Sequence, residues 1–90
     1  MDKVIRATQF ILEDENGNHR ASLSLTTDGP LLNLSDENGT VRATLDVVGD
    51  GPTLALSDEN GKVRVMLHVF KNGPVLVLFD ETGKTIWSQP

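Results

Sequence analysis

The residues best suited to chemistry are the acidic turns, where an Asp is followed three residues later by a Gly. They read Asp-Glu-Asn-Gly at 14–17, 36–39 and 58–61, and Asp-Glu-Thr-Gly at 80–83. Carboxylate and amide oxygens are the ligands that calcium prefers. The spacing nevertheless lacks the alternating carboxylates and the late glutamate of an EF-hand, and it is not the glycine-aspartate nonapeptide of calcium-binding rolls. We therefore expect no metal and no cofactor, and interpret each Asp as a turn former.

The two histidines are isolated from other reactive side chains. His19 and His68 occupy different positions of the repeat described below, and neither has a partner at the spacing of a metal site or a catalytic triad. The glycines belong to turns, so no phosphate-binding loop precedes a helix. The sequence therefore predicts that the chain is not an enzyme and has no catalytic residues.

The arginines form a regular row, because Arg20, Arg42 and Arg64 are spaced by 22 residues. Such a row could bind carboxylates or an anionic polymer. The net charge of −5 opposes binding to a nucleic-acid backbone or to an anionic membrane surface. We interpret the arginines as cross-strand partners of the acidic turns. No nucleic acid and no membrane is expected as a partner.

A strict 22-residue repeat positions all of these side chains. Its units are 9–30, 31–52, 53–74 and a shortened 75–90, with no insertion or deletion between them. A repeat of this kind specifies architecture rather than chemistry. Residues 1–90 are interpreted as a single all-β repeat domain, because 90 residues fit one domain.

Each full unit contains a second turn signal, Asp-Gly-Pro or Asn-Gly-Pro, at 28–30, 50–52 and 72–74. Two turns per unit leave two strands per unit and no room for a helix, which predicts an antiparallel up-and-down meander of about eight strands. One face of the sheet should be apolar, since Val63, Val65 and Leu67 alternate with polar or larger neighbours. That face needs a cover. The meander either closes as a barrel or packs sheet-on-sheet in an oligomer.

The turns also predict the pairing of the strands. A two-residue loop at Asn60-Gly61 would place Leu56 opposite Val65, and a loop at Asp50-Gly51 would place Val47 opposite Leu54. Thr82 disfavours the first kind of loop, which needs positive φ, and favours a type I turn with a glycine bulge that would shift the pairing by one residue. We favour the pairing that keeps apolar residues on one face. Residues 3–14 are interpreted as one long or bent first strand.

The last strands depart from this pattern, because apolar residues occupy positions that are mostly polar in earlier units. A contiguous apolar patch on such a face usually marks an interface. We expect a homo-oligomer joined through this surface; alternatively, the N-terminal segment with Val4 and Ile11 folds over it. Trp87 occupies the position of Ala21 and Ala43, where it would plug the end of the core face. The surface, called the C-terminal patch, comprises Met66, His68, Phe70, Val75, Val77, Phe79 and Ile86.

The pattern Leu-x-Leu-x-Asp-x-x-Gly-x-x-Arg, followed by Leu and then Gly-Pro, closes with Lys84-Thr85-Ile86-Trp87. It resembles a class of small uncharacterised bacterial proteins built from tandem β-hairpin repeats. The resemblance covers Gln9 to Pro90. It implies a bacterial origin and an all-β repeat fold, and it implies no activity and no site residues.

The function expected from the sequence is that of a non-enzymatic structural or interaction module that self-associates through the C-terminal patch. It could also contact another protein, which the sequence does not identify. The alternative is a small β-barrel that binds an apolar small molecule in its interior. A cytoplasmic location is the default expectation, because the N-terminal residues show no signal peptide and no segment is apolar for long enough to span a bilayer.

Overall fold

The computed structural model describes residues 3–90, which form one antiparallel sheet of eight strands. Each strand pairs with the next along the chain, so the order in the sheet is the order in the sequence. The described part contains no helix, and the predicted all-β meander is confirmed. The strands are β1 Gln9–Glu13, β2 His19–Thr26, β3 Gly29–Ser35, β4 Val41–Val48, β5 Gly51–Ser57, β6 Val63–Phe70, β7 Gly73–Phe79 and β8 Thr85–Gln89.

The sheet is open, because β1 and β8 lie at opposite edges and do not pair in residues 3–90. Of the two arrangements that the sequence allowed, closure into a barrel is therefore wrong. Closure requires the strands to be staggered along their length. Here equivalent positions of successive units lie in straight rows without stagger: Leu12 pairs with Ala21, Ala21 with Leu34, and Leu34 with Ala43. Sheet-on-sheet packing in an oligomer remains a proposal.

Each acidic turn ends in a glycine that adopts positive φ, between 81° and 90°. In the third turn the Gly61 N–H donates to the Asp58 carbonyl at 2.9 Å, and the Asp58 N–H donates to the Lys62 carbonyl at 2.9 Å. This is the arrangement of a type I turn with a glycine bulge. The predicted two-residue loop at Asn60-Gly61 is wrong. It would need positive φ at Asn60, and no residue other than glycine has positive φ in the described part of the chain.

The pairing predicted across these turns is nevertheless confirmed, because a second bulge follows the first. Leu56 pairs with Val65, as expected, but Ser57 pairs with Val63. Arg64 is left as the extra residue between these two pairs. The glycine bulge shifts the pairing by one residue and the arginine bulge shifts it back, so turn chemistry and alternation are both satisfied.

The Gly-Pro hairpins pair two residues away from the predicted register. Leu45 pairs with Leu54, and Val47 pairs with Pro52 rather than with Leu54. The loop consists of Gly49 and Asp50, where Gly49 supplies a φ of 58°. A shift of two residues leaves every side chain on its predicted face, since the side-chain period of a strand is two.

The first strand is shorter than predicted. It begins at Gln9, and one further hydrogen bond, from the Leu25 N–H to the Thr8 carbonyl at 2.9 Å, extends its pairing. Residues 3–7 form no strand, and Val4 and Ile5 are exposed. Since β1 lies at the edge opposite β8, the expectation that the N-terminal segment covers the C-terminal patch is wrong.

The apolar face has no cover within residues 3–90. No hydrophobic side chain whose exposure is described is buried, and Leu45 in the middle of the sheet is 47% exposed. We call this apolar face the leucine face. It is formed by Phe10, Leu12, Ala21, Leu23, Leu25, Leu32, Leu34, Ala43, Leu45, Val47, Leu54, Leu56, Val65, Leu67, Val69, Leu76, Leu78 and Trp87.

No helix of the described chain is long and apolar enough to cross a membrane.

Candidate functional site

The leucine face is the largest apolar surface of the described chain. Cross-strand pairs such as Leu45 with Leu54 and Leu54 with Leu67 set equivalent side chains side by side in rows. At the C-terminal end, Trp87 pairs with Leu78 at the position of a smaller residue in earlier units and is 45% exposed. The rows therefore end in a large aromatic side chain that a facing surface could contact.

The dimensions of this face suit a protein interface. Eight strands spaced by about 4.8 Å and about seven residues long cover about 900 Å². Two such faces in contact would remove about 1,800 Å² from water, which lies within the range of specific, stable interfaces. The depressions on the face, one lined by Leu23, Leu32 and Leu45, are open to solvent.

The C-terminal patch lies on the opposite face, and the structure brings its predicted residues onto three neighbouring strands. Met66 pairs with Val77 and His68 with Val75, which is the same two-residue shift that the Gly-Pro hairpin between β4 and β5 shows. The remaining members, Phe70 of β6, Phe79 of β7 and Ile86 of β8, stay on the face predicted for them.

The exposure of the patch is uneven. Ile86 is 62% exposed and Phe70 is 40% exposed, whereas His68 is the one side chain that the described residues bury. The other four members are half-buried. The patch is therefore a contiguous but smaller apolar surface than the leucine face.

His68 lies at the centre of a polar cluster that the sequence did not predict. Its Nδ1 contacts the Thr53 Oγ1, its Nε2 lies 3.1 Å from the Asp50 Oδ1, and its ring packs at 3.9 Å from that of Phe70. Because the carboxylate only accepts hydrogen bonds, we assign the proton to Nε2, and Nδ1 accepts from the Thr53 hydroxyl. Both nitrogens of the buried ring are thereby satisfied.

A signal for this cluster was present in the sequence as two departures from the repeat. His68 occupies the position of Ser24 and Asp46, and Thr53 occupies the position of Gln9, Leu31 and Val75. Thr53 and His68 pair across β5 and β6. Gln9 and Ser24 hold the same two repeat positions and are joined by a hydrogen bond of 3.0 Å, so a polar pair at these positions indicates a cross-strand contact.

The order Thr53, His68 and Asp50 resembles a nucleophile, a base and an orienting carboxylate. An acyl-transfer site also needs N–H donors aimed at the developing oxyanion. Here β5 and β6 are interior strands, and their backbone N–H groups bond to the neighbouring strands on both sides. We therefore interpret the cluster as packing that holds the start of β5 against the end of β6. The absence of enzymatic activity stays a prediction.

The arginine row is a structural feature of the bulges. Each Arg pairs with the Asp six residues before it, with N–O distances of 3.8 Å for Arg20, 3.4 Å for Arg42 and 3.5 Å for Arg64. Each Nε also donates to a carbonyl on the following strand, as Arg42 does to Ser57 at 2.9 Å. The interpretation of these arginines as partners of the acidic turns is confirmed.

We expect Arg42→Met to lower the free energy of unfolding by about 1 kcal/mol, because it removes an exposed ion pair and a charged hydrogen bond. Arg42→Lys should show the same loss of unfolding free energy, because a lysine lacks the forked guanidinium group that bonds to Asp36 and Ser57 together. Denaturant unfolding at one fixed protein concentration measures both. Arg6→Met, outside the sheet, is the control, and equal losses at the two sites would contradict the assignment.

The turn aspartates accept hydrogen bonds in their ionised form. In the third turn, Asp58 Oδ1 accepts from the backbone N–H of Lys62 at 3.0 Å and of Asn60 at 2.9 Å. The hydrogen bond from Lys62 lowers the pKa of the Asp58 carboxyl below its usual 3.8, against a partial desolvation that raises it. The pKa values of Asp14, Asp36 and Asp80 are lowered as well.

Acid should therefore destabilise the sheet. A carboxyl whose pKa is lowered by folding contributes stability that is complete above its unfolded pKa and is lost as the pH falls through the folded value. We expect the melting temperature to fall as the pH drops below 3.8. Asp58→Asn keeps an acceptor oxygen but does not titrate, so its stability should depend less on pH. A wild-type melting temperature that stays constant down to about pH 2 would contradict this prediction.

No group of three or more His, Asp or Glu side chains in the described residues is arranged to hold a metal ion. No protein-family model matches the chain, and no curated protein sequence matches it. The resemblance to bacterial β-hairpin repeat proteins consequently remains an expectation from the sequence.

Proposed function

We propose that this chain is a non-enzymatic structural module that self-associates by packing its leucine face against that of a second copy. The observation that carries the proposal is the exposure of this face across the whole sheet, from Leu12 in β1 to Trp87 in β8. Stable domains bury their apolar faces between two layers, and the described chain supplies only one. A second copy offers a surface of the same chemistry and size.

Covering the leucine face is also favourable in free energy. Ordering a residue costs about 1 to 2 kcal/mol of backbone entropy, which burial of apolar area has to offset. Each leucine fully removed from water contributes about 1.5 to 3 kcal/mol. Sheets stack about 10 Å apart with interdigitated side chains, so a face-to-face dimer would supply the missing core.

The C-terminal patch adds a second contact surface on the other side of the same sheet. Its most exposed members, Phe70 and Ile86, lie on β6 and β8. A copy bound there would leave the leucine face free, so the two surfaces can act together. In this proposal the leucine face forms the principal contact and the patch extends the assembly.

We do not propose the alternative of a barrel that binds an apolar small molecule inside. Such a molecule would need an enclosed interior, and the edges β1 and β8 do not meet in residues 3–90.

Sedimentation velocity from about 1 to about 100 µM tests self-association, because an interface of this size should have a dissociation constant in or below that range. We expect a dimer or larger species whose share rises with concentration and dominates at the upper end of the range. A monomer at every concentration would contradict the proposal. Phe70→Lys with Ile86→Lys separates the two surfaces: assembly should persist in this variant, and its complete loss would show that the patch is the principal interface.

A further inference from the structure

The two ends of the sheet carry strand edges with no partner in the described chain. There, β1 pairs only with β2, and β8 pairs only with β7. Natural edge strands are commonly protected by Lys or Pro. Neither is present within β1, Gln-Phe-Ile-Leu-Glu, or β8, Thr-Ile-Trp-Ser-Gln. Both strands are only five residues long and each hairpin has a bulge, at Leu12/Glu13 and at Leu78/Phe79, but these bulges lie at one end of the strands. The stretches Gln9 to Leu12 and Trp87 to Gln89 are regular and can accept a further strand.

The repeat identifies the kind of strand that fits each edge. β8 is the second strand of its unit, as β2, β4 and β6 are, and each of these pairs with the first strand of the next unit. β1 is a first strand, as β3, β5 and β7 are. The strand that would follow β8 in the repeat is therefore equivalent to β1, and a second copy supplies it.

The internal pairs also specify the register of such a contact. Ser22 pairs with Asn33, Thr44 with Ala55 and Met66 with Val77, each 22 residues further along both strands. The next step places Ser88 opposite the position equivalent to Ile11. In the same register Trp87 lies opposite Leu12, and both belong to the leucine face.

The composition of the end strands supports this contact. Ile11 occupies the position of Asn33, Ala55 and Val77, and Ile86 occupies the position of the bulge arginines. Leu12 is 65% exposed at its edge. Ile86 thus replaces a charged residue, and the apolar side chains at the two free edges become covered when those edges meet.

We propose that copies join end to end, with β8 of one copy paired antiparallel to β1 of the next in the register of the internal β6–β7 pair. This proposal rests on the proposed function, because the partner is again a second copy of the chain. The contact, however, is made by strand edges rather than by sheet faces. The contact is heterologous, so each copy keeps one free edge for a further copy.

A disulfide tests the register directly, because the chain contains no cysteine. We would oxidise the variant Ile11→Cys with Ser88→Cys and separate it on a non-reducing gel. The two edges of one sheet are seven strand spacings, about 34 Å, apart, so this disulfide cannot form within a chain. We expect a ladder of covalent dimers and larger species that a reductant converts to monomer.

Two control variants make the result decisive. Met66→Cys with Val77→Cys is the internal equivalent and should form an intramolecular disulfide, detected as loss of free thiol without a ladder. Leu12→Cys with Ser88→Cys places the thiols on opposite faces and should form no ladder. If the Met66–Val77 control forms its intramolecular disulfide but the Ile11–Ser88 variant gives no ladder, the proposal is overturned. An equal ladder from the Leu12–Ser88 variant would also overturn it, because it would indicate random collision.

The outcome separates this inference from the proposed function. Oligomers in sedimentation without the specific ladder would refute edge pairing and leave face-to-face packing standing. Monomers in sedimentation together with no ladder would refute both. A specific ladder that persists in a variant with charges on the leucine face would establish edge pairing independently of the faces.

Discussion

Replacing Leu45 and Leu67 together by Lys is expected to weaken self-association at least about 100-fold, equivalent to about 2.7 kcal/mol in the free energy of association. Both side chains lie on the leucine face, on interior strands, and are 47% and 40% exposed. Each substitution removes a leucine whose burial contributes about 1.5 to 3 kcal/mol and introduces a charge that must be desolvated. Sedimentation velocity of the wild type and the variant measures the change.

The matched control adds the same charge to the opposite face. Ser22→Lys with Ser57→Lys changes two half-buried side chains away from the leucine face, and its self-association should stay within about threefold of wild type, below 1 kcal/mol. Equal weakening by both variants would indicate a general effect of charge and would contradict the leucine face as the interface. The wild-type melting temperature should also rise with protein concentration, since association stabilises the folded chain.

The meander and its faces were predictable because they depend on periodicity that is repeated along the chain. Val65, Leu67 and Val69 share a face in any register that shifts by an even number of residues. That is why the two-residue error in the Gly-Pro hairpins changed the partners of Leu45 and Val47 but not their face. Val63 was predicted on the same face as Val65, but the bulge at Arg64 pairs it with Ser57 and places it on the opposite face.

Whether the sheet closes over its apolar face or stays open was not predictable from the sequence. Closure depends on the stagger between strands rather than on the alternation of apolar and polar residues. Two bulges in each acidic hairpin cancel, and the sheet accumulates no shear. The sequence contains the glycine of one bulge and the arginine of the other, but the role of Arg64 at a bulge emerges only from the pairing of Ser57 with Val63. The His68 cluster was missed although the predicted pairing of Leu56 with Val65 already implies Thr53 opposite His68. His68 was interpreted only as a member of the C-terminal patch, and its contact with Asp50 emerges only from the structure.

Gly51→Ala is expected to destabilise the fold by at least about 3 kcal/mol, among the larger effects of single substitutions. Gly51 begins β5, and a Cβ built on it would lie 2.0 Å from the Val69 carbonyl oxygen and 3.2 Å from the carbonyl carbon. Both atoms belong to the backbone of the neighbouring strand β6, so relief requires the two strands to separate. The same movement would disturb His68 and its hydrogen bond to Asp50, which precedes Gly51.

Gly73→Ala is the matched control, because Gly73 holds the equivalent position one unit later. A Cβ there would meet nothing within 4 Å, although its φ of 135° is further from extended backbone than the 156° of Gly51. Backbone strain alone would make Gly73→Ala the costlier change, by up to about 3 kcal/mol. The close contact predicts the reverse order. Denaturant unfolding of both variants at one protein concentration decides between the two orders. A larger loss of unfolding free energy in Gly51→Ala, or failure of that variant alone to fold, would support the close contact. An equal or smaller loss at Gly51 would contradict it.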